Sequence, residues 1–497
     1  MDMEWTRDTL RFESLAAQGE EQIVIEGDAA LPGSMRDAVT VLSVQAQAHI
    51  RDVQAGAGEV GLRGRMCFQV LYTQGDLTRV RSLETTCDFE RTVRLPGAAP
   101  GMRIEAQAYV QETGGSAGSG RITLRALLSL TLLAFETTER QLFTGAPQNA
   151  NLRVKTQPLA YSMAENIGEE RTLVRDEQDL PARLGVGDVL NATASANVEE
   201  ITGGGGKIGV SGTITVRVLH LPQEAGQPLV STLHEVPYEA MIPGQIPEGV
   251  QVSAQAEVTD VMADSVLSDK RRTLRLEAEV CVRLMLTRQR ECELVTDLYS
   301  LSGPVLEPQA ERFAICTAQE RARAQESTRL QVTLPKDAPP VDTVLAAFAQ
   351  PVLASVQPSG RRLDAEGVMG VTLVYIPQDS DVPCAVHVRE PFAMTFPVET
   401  GEGVLAYALP VECSAGAVTS DRVEVRCVLA MNTLRCVQQT VSGVTGVEEK
   451  PEQEMEHGFV LVWPAAGESR WDTARRLRVA EEALHAAGKR ALLAFRR

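Results

Sequence analysis

One thirteen-residue pattern occurs three times along the 497 residues of this chain. It reads Val60-Gly-Leu-Arg-Gly-Arg-Met-Cys-Phe-Gln-Val-Leu-Tyr72, then Ile208-Gly-Val-Ser-Gly-Thr-Ile-Thr-Val-Arg-Val-Leu-His220, then Leu363-Asp-Ala-Glu-Gly-Val-Met-Gly-Val-Thr-Leu-Val-Tyr375. Large apolar residues recur at every second position, the period of a half-buried strand. The copies share a glycine, and Gly64, Gly212 and Gly367 stand 148 and 155 residues apart. That spacing is too long for a solenoid unit and suits a small domain.

The shared glycine falls on the apolar face, where a strand ordinarily places a bulky side chain. Its recurrence predicts a bulge, a bend or the close approach of a neighbouring side chain. Flanking features repeat as well. Leu31-Pro32, Leu180-Pro181 and Leu334-Pro335 lie upstream, followed by Val41-Leu42, Val189-Leu190 and Val344-Leu345. Downstream, Phe89, Tyr238 and Phe392 each open a short run, and long alternating stretches close the units at Ile122–Phe135, Leu274–Leu286 and Val423–Leu434. The reading is mainly β: three tandem antiparallel β-sandwich or open-barrel domains over 20–143, 165–303 and 320–440. Residues 1–19 read as a weakly structured lead, and Glu311–Arg329 as a connecting helix.

Aromatic residues make up only 4% of the chain, so the cores must be built from aliphatic side chains. A formal net charge of −18 argues against nucleic acid or an anionic membrane as partner. No apolar run approaches the ~20 residues of a membrane helix. The opening Met1-Asp-Met-Glu-Trp5 has neither the basic region nor the apolar stretch of a secretory leader. Nine cysteines without CxxC spacing read as reduced structural residues of a cytosolic protein.

Chemistry does not recur with the strand. Gly203-Gly-Gly-Gly-Lys207 lacks the Ser/Thr and the helix of a phosphate loop and reads as a hairpin turn. Gly114-Gly-Ser-Ala-Gly118 fits a nucleophile-elbow spelling but lies in a Gly/Ser-rich stretch, Thr113–Gly120, read as a loop. The histidines His49, His220, His234, His387, His457 and His485 show no metal-ligand spacing. His220 takes the place of Tyr72 and Tyr375, so it reads as a packing residue. No catalytic residue, cofactor or metal is expected, and the chain reads as a non-enzyme.

After an acidic linker, Val447–Glu456, the composition changes. Residues 457–497 read as a small α+β module: a strand at Phe459–Trp463, two short helices at Trp471–Arg478 and Ala480–Ala487, and a closing strand at Ala491–Phe495. From Arg470 onward it holds eight Lys or Arg against three acids, the make-up of a basic binding head on an acidic tether. Within it, Glu468, Trp471, Arg475, Arg476 and Arg478 are the candidate partner-binding residues. Trp471 also suits packing between helix and sheet.

In the first copy, Ile25-Glu-Gly-Asp28, Leu31-Pro32, Asp37 and Val41-Leu42, with the Gly64 strand ending Val70-Leu71-Tyr72, resemble the opening and central patterns of the SPOCS-domain proteins of endospore-forming clostridia. The second and third copies keep the Pro, the Val-Leu and the central strand but lack the Glu-Gly-Asp element. The resemblance spans roughly residues 20–440. Val462 to Ala474, with Gly467, Trp471 and Ala474 in place and Val479 and Leu484 following, resembles a LysM module. Glu468, Ser469 and Arg470 replace that motif's Asp, Thr and Leu, in the region where LysM modules bind N-acetylglucosamine polymers. Three SPOCS-like units and a LysM-like tail together look like the SipL class of spore-coat morphogenetic proteins. The resemblance implies a scaffold of the mother-cell cytoplasm and forespore surface that docks to the ATPase of the coat's basal layer. The alternative it leaves is a peptidoglycan-binding protein that uses its tail on the spore cortex.

Overall fold

The structure is a computed structural model that describes residues 5–31, 39–75, 79–147, 149–224, 227–268, 271–398, 404–452, 458–487 and 491–496. Pro32, Asp37 and His457 lie outside the described residues. In the first third, β1 (Thr6–Ala30), β2 (Val39–Ala55), β3 (Glu59–Gln74), β4 (Arg81–Arg94), β5 (Arg103–Gly118) and β6 (Arg121–Gly145) form two antiparallel sheets, ordered β1-β6-β5 and β2-β3-β4. The second third repeats this topology with β7 (Leu152–Leu180), β8 (Val186–Gly204), β9 (Lys207–Pro222), β10 (Val230–Pro243), β11 (Gln251–Ser268) and β12 (Arg271–Ser300). The last repeats it with β13 (Val305–Thr333), β14 (Val341–Ser359), β15 (Arg362–Pro377), β16 (Cys384–Phe396), β17 (Val404–Thr419) and β18 (Arg422–Lys450). In each unit the two sheets bury a common aliphatic core, with Met66, Ile214 and Met369 at its centre.

Tight turns join the strands where the sequence supplies positive φ. Gly205 and Gly206 (φ 61° and 79°) link β8 to β9 as a two-residue hairpin, as their spelling predicts. Two expectations are corrected. Thr113–Gly118 is strand, because it pairs with β6 up to the turn at Ser119–Gly120. Glu311–Arg329 is no helix but the middle of β13, paired with β18 along its length. Its Ala, Gln, Glu and Arg favour a helix locally, yet a strand partner of 29 residues overrides that preference. The lead also differs, since β1 begins at Thr6 and pairs with β6 from its first residue.

The repeated glycine has one geometry in all three units. Gly64, Gly212 and Gly367 each face an aromatic directly across the ladder: Phe89, Tyr238 and Phe392. On the other side, the preceding strand bulges beside the glycine, between Ile50 and Asp52, Val198 and Glu200, and Leu353 and Ser355. A Cβ at these positions would stand 2.6, 1.9 and 2.1 Å from the carbonyl oxygens of His49, Asn197 and Val352. The aromatic ring covers the space the glycine leaves.

A second bulge in the same strands explains the Val-Leu pairs. Leu42, Leu190 and Leu345 are each the extra residue of a bulge. Two consecutive strand residues point to opposite faces. Val41, Val189 and Val344 therefore pack into their own unit's core. The three leucines leave it and meet in one shared cluster with Leu71, Leu221 and Val374. A second junction forms where the first and last strands of each unit overrun their sheets: Phe12 and Leu142, Tyr161 and Leu294, Ile315 and Val441 bury one another. Each unit touches both others, so the three units pack as one body.

Polar contacts line the seams. Arg79 pairs with Asp188 at 2.8 Å, Gln350 donates to the Val110 carbonyl, and the Leu229 N–H to the Leu345 carbonyl. At the seam of the first two units, His49 Nδ1 lies 2.7 Å from Glu257 Oε1. Burial pulls the His49 pKa down, but its hydrogen bond to Cys67 and the hydrogen bond and charge of Glu257 outweigh this and push it up to about 9. The folded pKa exceeds the unfolded value of about 6.5, so the stabilisation is fully present below that value and is lost as pH rises through about 9. We expect the thermal midpoint of the native protein to exceed that of Glu257→Gln at pH 6 and the gap to close by about pH 10. A gap that stays constant over that range would show that the pair is not ionic.

Candidate functional site

The C-terminal module is built from β19 (Gly458–Val462), α1 (Arg470–Leu477), a 3-10 turn (Glu481–Ala483), β20 (His485–Ala486) and β21 (Leu492–Arg496), with sheet order β19-β21-β20. A capping box starts the helix: the Asp472 N–H donates to Ser469 Oγ at 3.2 Å, and the Ser469 N–H to Asp472 Oδ2 at 3.0 Å. The second expected helix is only the 3-10 turn, because Leu484 must enter the module's core and His485–Ala486 must pair with β21. Of the expected acidic linker, Val447–Lys450 completes β18, and residues 453–456 lie outside the described residues.

The module does not hang free. Its core of Ala474, Leu477, Val479, Leu484 and Ala494 closes around Tyr299, which comes from the end of β12. The Tyr299 hydroxyl donates to the Val479 carbonyl at 2.8 Å, and burial pushes its pKa up to about 12. Beside it, Asp297 accepts from Trp471 Nε1 at 2.7 Å and from Arg475 at 3.0 Å on both oxygens. The Trp471 ring meets Tyr299 edge-on at 5.0 Å. The Arg475 side chain is 41% exposed, so solvent screens its share of this cluster.

Arg478 ends α1 in the left-handed region (φ 53°), where a non-glycine residue is strained. Its buried guanidinium donates to the Ser300 carbonyl, Ser300 Oγ and the Gly303 carbonyl at 2.8–2.9 Å, which hold it in that conformation. Glu468 and Arg476 pair at 2.9 Å, and Glu468 also accepts from the Ala465 N–H. The hydrogen bond from Arg476, then that from Ala465, hold the Glu468 carboxyl below the usual range. All five candidate residues of the module are thus engaged within the chain. Trp471 and Arg475 fasten the module to the end of β12, and Arg478 to Ser300 and the β12–β13 connection, while Glu468 and Arg476 close its own turn.

The opposite side of the module carries what the sequence reading did not single out. Val460 and Val462 face the module's core, so the alternate residues of β19 face away. Phe459 is 76% exposed, Trp463 63%, Phe495 49% and Leu461 48%. Phe459 and Phe495 lie directly opposite in the ladder with ring centroids 5.0 Å apart. Covering a side chain of this size is worth about 1.5–3 kcal/mol. The signal was present in the sequence: Phe459-Val-Leu-Val-Trp463 is apolar on both faces, and a module this small can cover only one.

Other candidate chemistry resolves into structure. His220 is fully buried, its Nε2 2.9 Å from Thr232 Oγ1, which in turn meets His234 Nε2 at 2.7 Å. Burial first, then the neighbouring His234, push the His220 pKa down to about 4. Among the described residues, no group of three or more His, Cys, Asp or Glu side chains is placed to hold a metal ion. No helix among them is long and apolar enough to cross a membrane.

Residues 37–114 match the family model described as SipL, SPOCS domain. The match lies in the first unit, from the start of β2 into β5, and includes Leu42, Gly64 and Phe89. This part of the chain is similar to a domain linked to sporulation. No curated protein and no solved structure matches the chain.

Proposed function

We propose that the chain is a non-catalytic scaffold of endospore coat assembly, made in the mother-cell cytoplasm and docked at the forespore surface to the ATPase of the coat's basal layer. In this reading each six-stranded unit is a SPOCS-like β-sandwich and the tail is a LysM-like module turned to protein docking. The observation that carries it is the two-sided build of the module. One side is fixed to Asp297, Tyr299 and Ser300, and the other leaves Phe459, Leu461, Trp463 and Phe495 bare. An apolar face on a rigid mount suits a protein partner better than a solvated one. The sporulation link of the matched domain supports the choice of partner.

The test is capture from sporulating cells with the native chain and with Phe459→Ser/Trp463→Ser. We expect the native chain to recover the coat ATPase and the double variant to lose at least tenfold of it, with an unchanged circular dichroism spectrum. Equal recovery by both would remove the face as the docking site. The second reading, peptidoglycan binding, draws on the same exposed aromatics, because rings of this kind stack on sugar faces. Co-sedimentation with purified peptidoglycan, lost in the double variant, would favour it over a protein partner.

A further inference from the structure

Two cysteines that neither the docking face nor the repeat accounts for stand closer than packing requires. Cys316 of β13 and Cys436 of β18 have their sulfurs 3.0 Å apart. Cys316 sits at a register shift of β13, where the ladder skips from Cys316 to Ala318. The bulge turns its side chain diagonally toward Cys436, which pairs with Gln319 rather than with Cys316. A disulfide needs about 2.05 Å between sulfurs, so the two must close by about 1 Å.

The pair also has an approach. Cys316 is fully buried, but Cys436 is half-buried and lines a cavity of about 180 Å³ between the first and third units. Leu15 and Leu133 of the first unit and Leu405 and Leu434 of the third form the cavity's apolar walls, and Gln18 and Gln438 add amides. We propose that Cys316 and Cys436 are a redox-active dithiol, with Cys436 as the sulfur that takes a small-molecule disulfide in this cavity.

The chemistry closes with that oxidant alone. The Cys436 thiolate attacks one sulfur of the small disulfide and expels one thiolate, forming a mixed disulfide on Cys436. Cys316 then loses its proton to the expelled thiolate and attacks the Cys436 sulfur, and the second small thiolate leaves with the proton from Cys436. Two thiols and one small disulfide become one protein disulfide and two small thiols, and two electrons pass to the oxidant. The order of attack follows from the environment as well as from access. A hydrogen bond from Cys316, helped by the charge of Arg103, lowers the Cys436 pKa against burial and the charges of Glu13 and Glu105, which raise it. The same contact and burial raise that of Cys316. The new bond would tie β13 to β18 inside the apolar cluster of Leu133, Phe135 and Leu434, at the seam of the first and third units.

The test uses the full-length chain, reduced, freed of reductant and exposed to oxidised glutathione at pH 7.5, with free thiols then alkylated and peptides mapped by mass. We expect a Cys316–Cys436 cross-linked peptide, two hydrogens lighter than the reduced pair, to form at least tenfold faster than any adduct on Cys281 or Cys292, together with a higher thermal midpoint. In Cys316→Ser, glutathione should remain on Cys436 as a stable mixed disulfide. Cys436→Ser should leave Cys316 unreacted. Mapping of the native chain decides even if a variant fails to fold. Alkylation of Cys316 and Cys436 undiminished after oxidant, or glutathione on other cysteines first, would overturn the proposal. The outcome is independent of the docking experiment, since no residue of the C-terminal module takes part.

Discussion

Gly212→Ala should cost the protein about 3 kcal/mol, the upper end of the usual cost of overpacking. The added methyl would stand 1.9 Å from the Asn197 carbonyl oxygen and 2.9 Å from the Tyr238 hydroxyl, which itself donates to that oxygen at 3.1 Å. Rotating a side chain cannot relieve a clash with backbone, so β8 must shift. That shift would break the Tyr238 hydrogen bond and open the bulge beside the glycine. Gly61→Ala is the control, because its nearest new contact is 3.9 Å away in the equivalent strand of the first unit. Ordinarily such a change is neutral or slightly stabilising. Urea unfolding followed by far-UV circular dichroism should show a large fall in midpoint for Gly212→Ala and almost none for Gly61→Ala. Similar midpoints for the two would mean that the repeated glycine is not held by the carbonyl. Gly367→Ala should behave like Gly212→Ala, with its oxygen at 2.1 Å, and in Gly64→Ala the methyl would meet both the Phe89 ring at 2.4 Å and the His49 oxygen at 2.6 Å.

Glu13 should matter on a similar scale for a different reason. Its carboxylate is 2% exposed and sits where the three units converge. It accepts from Arg103 of its own unit at 3.1 and 3.0 Å, from the Ala164 N–H of the second unit at 3.3 Å, and from Gln319 of the third at 3.0 Å. Arg103 also pairs with Glu105, which Arg321 of the third unit meets in turn. Burial alone would lower the Arg103 pKa, and the two carboxylates more than reverse it. Removing one partner of such a buried group costs about 3–5 kcal/mol, since the other is left desolvated and unpaired. Glu13→Ala should therefore lower the melting midpoint and split a single calorimetric transition into at least two, as the units lose their common polar anchor. Glu13→Gln keeps the shape and should fall between. One transition at the native midpoint in both variants would show that the apolar clusters alone couple the units.

Much of the fold is legible in local pattern, and the exceptions have a common cause. The period-two strands, the hairpin at Gly205–Gly206, and the bulge that was one of the alternatives at the glycines follow from residues near in sequence. The aromatics opposite those glycines, Phe89, Tyr238 and Phe392, were visible as a repeated position, though not as the rings that cover the gap. Leu42, Leu190 and Leu345 were equally visible, but their purpose was not: a bulge reverses the facing of one residue, and only the other two units show where it points. Glu311–Arg329 reads as a helix because composition reports local preference, whereas its strand is imposed by a partner about a hundred residues away or more. In the tail, the positive charge of Arg475 and Arg478 drew attention to one side of the module. Their partners, Asp297 and the Ser300–Pro304 carbonyls, are remote in sequence, so the arginines looked available. The bare aromatic face is written in Phe459, Leu461 and Trp463, because a sheet this small has nothing left to cover its second side.

The shared leucine cluster also sets how this architecture can change over generations. A solenoid tolerates the gain or loss of a repeat because each repeat needs only its neighbours. Here every unit contributes to one apolar junction that its two companions complete. A duplication that added a fourth unit would find no vacancy, and a deletion would leave greasy surface open to water. The tally is thus locked at three, and divergence has to proceed inside existing units rather than through their number. A unit cut loose from its companions would be left seeking two substitutes, and the nearest in shape would be copies of itself.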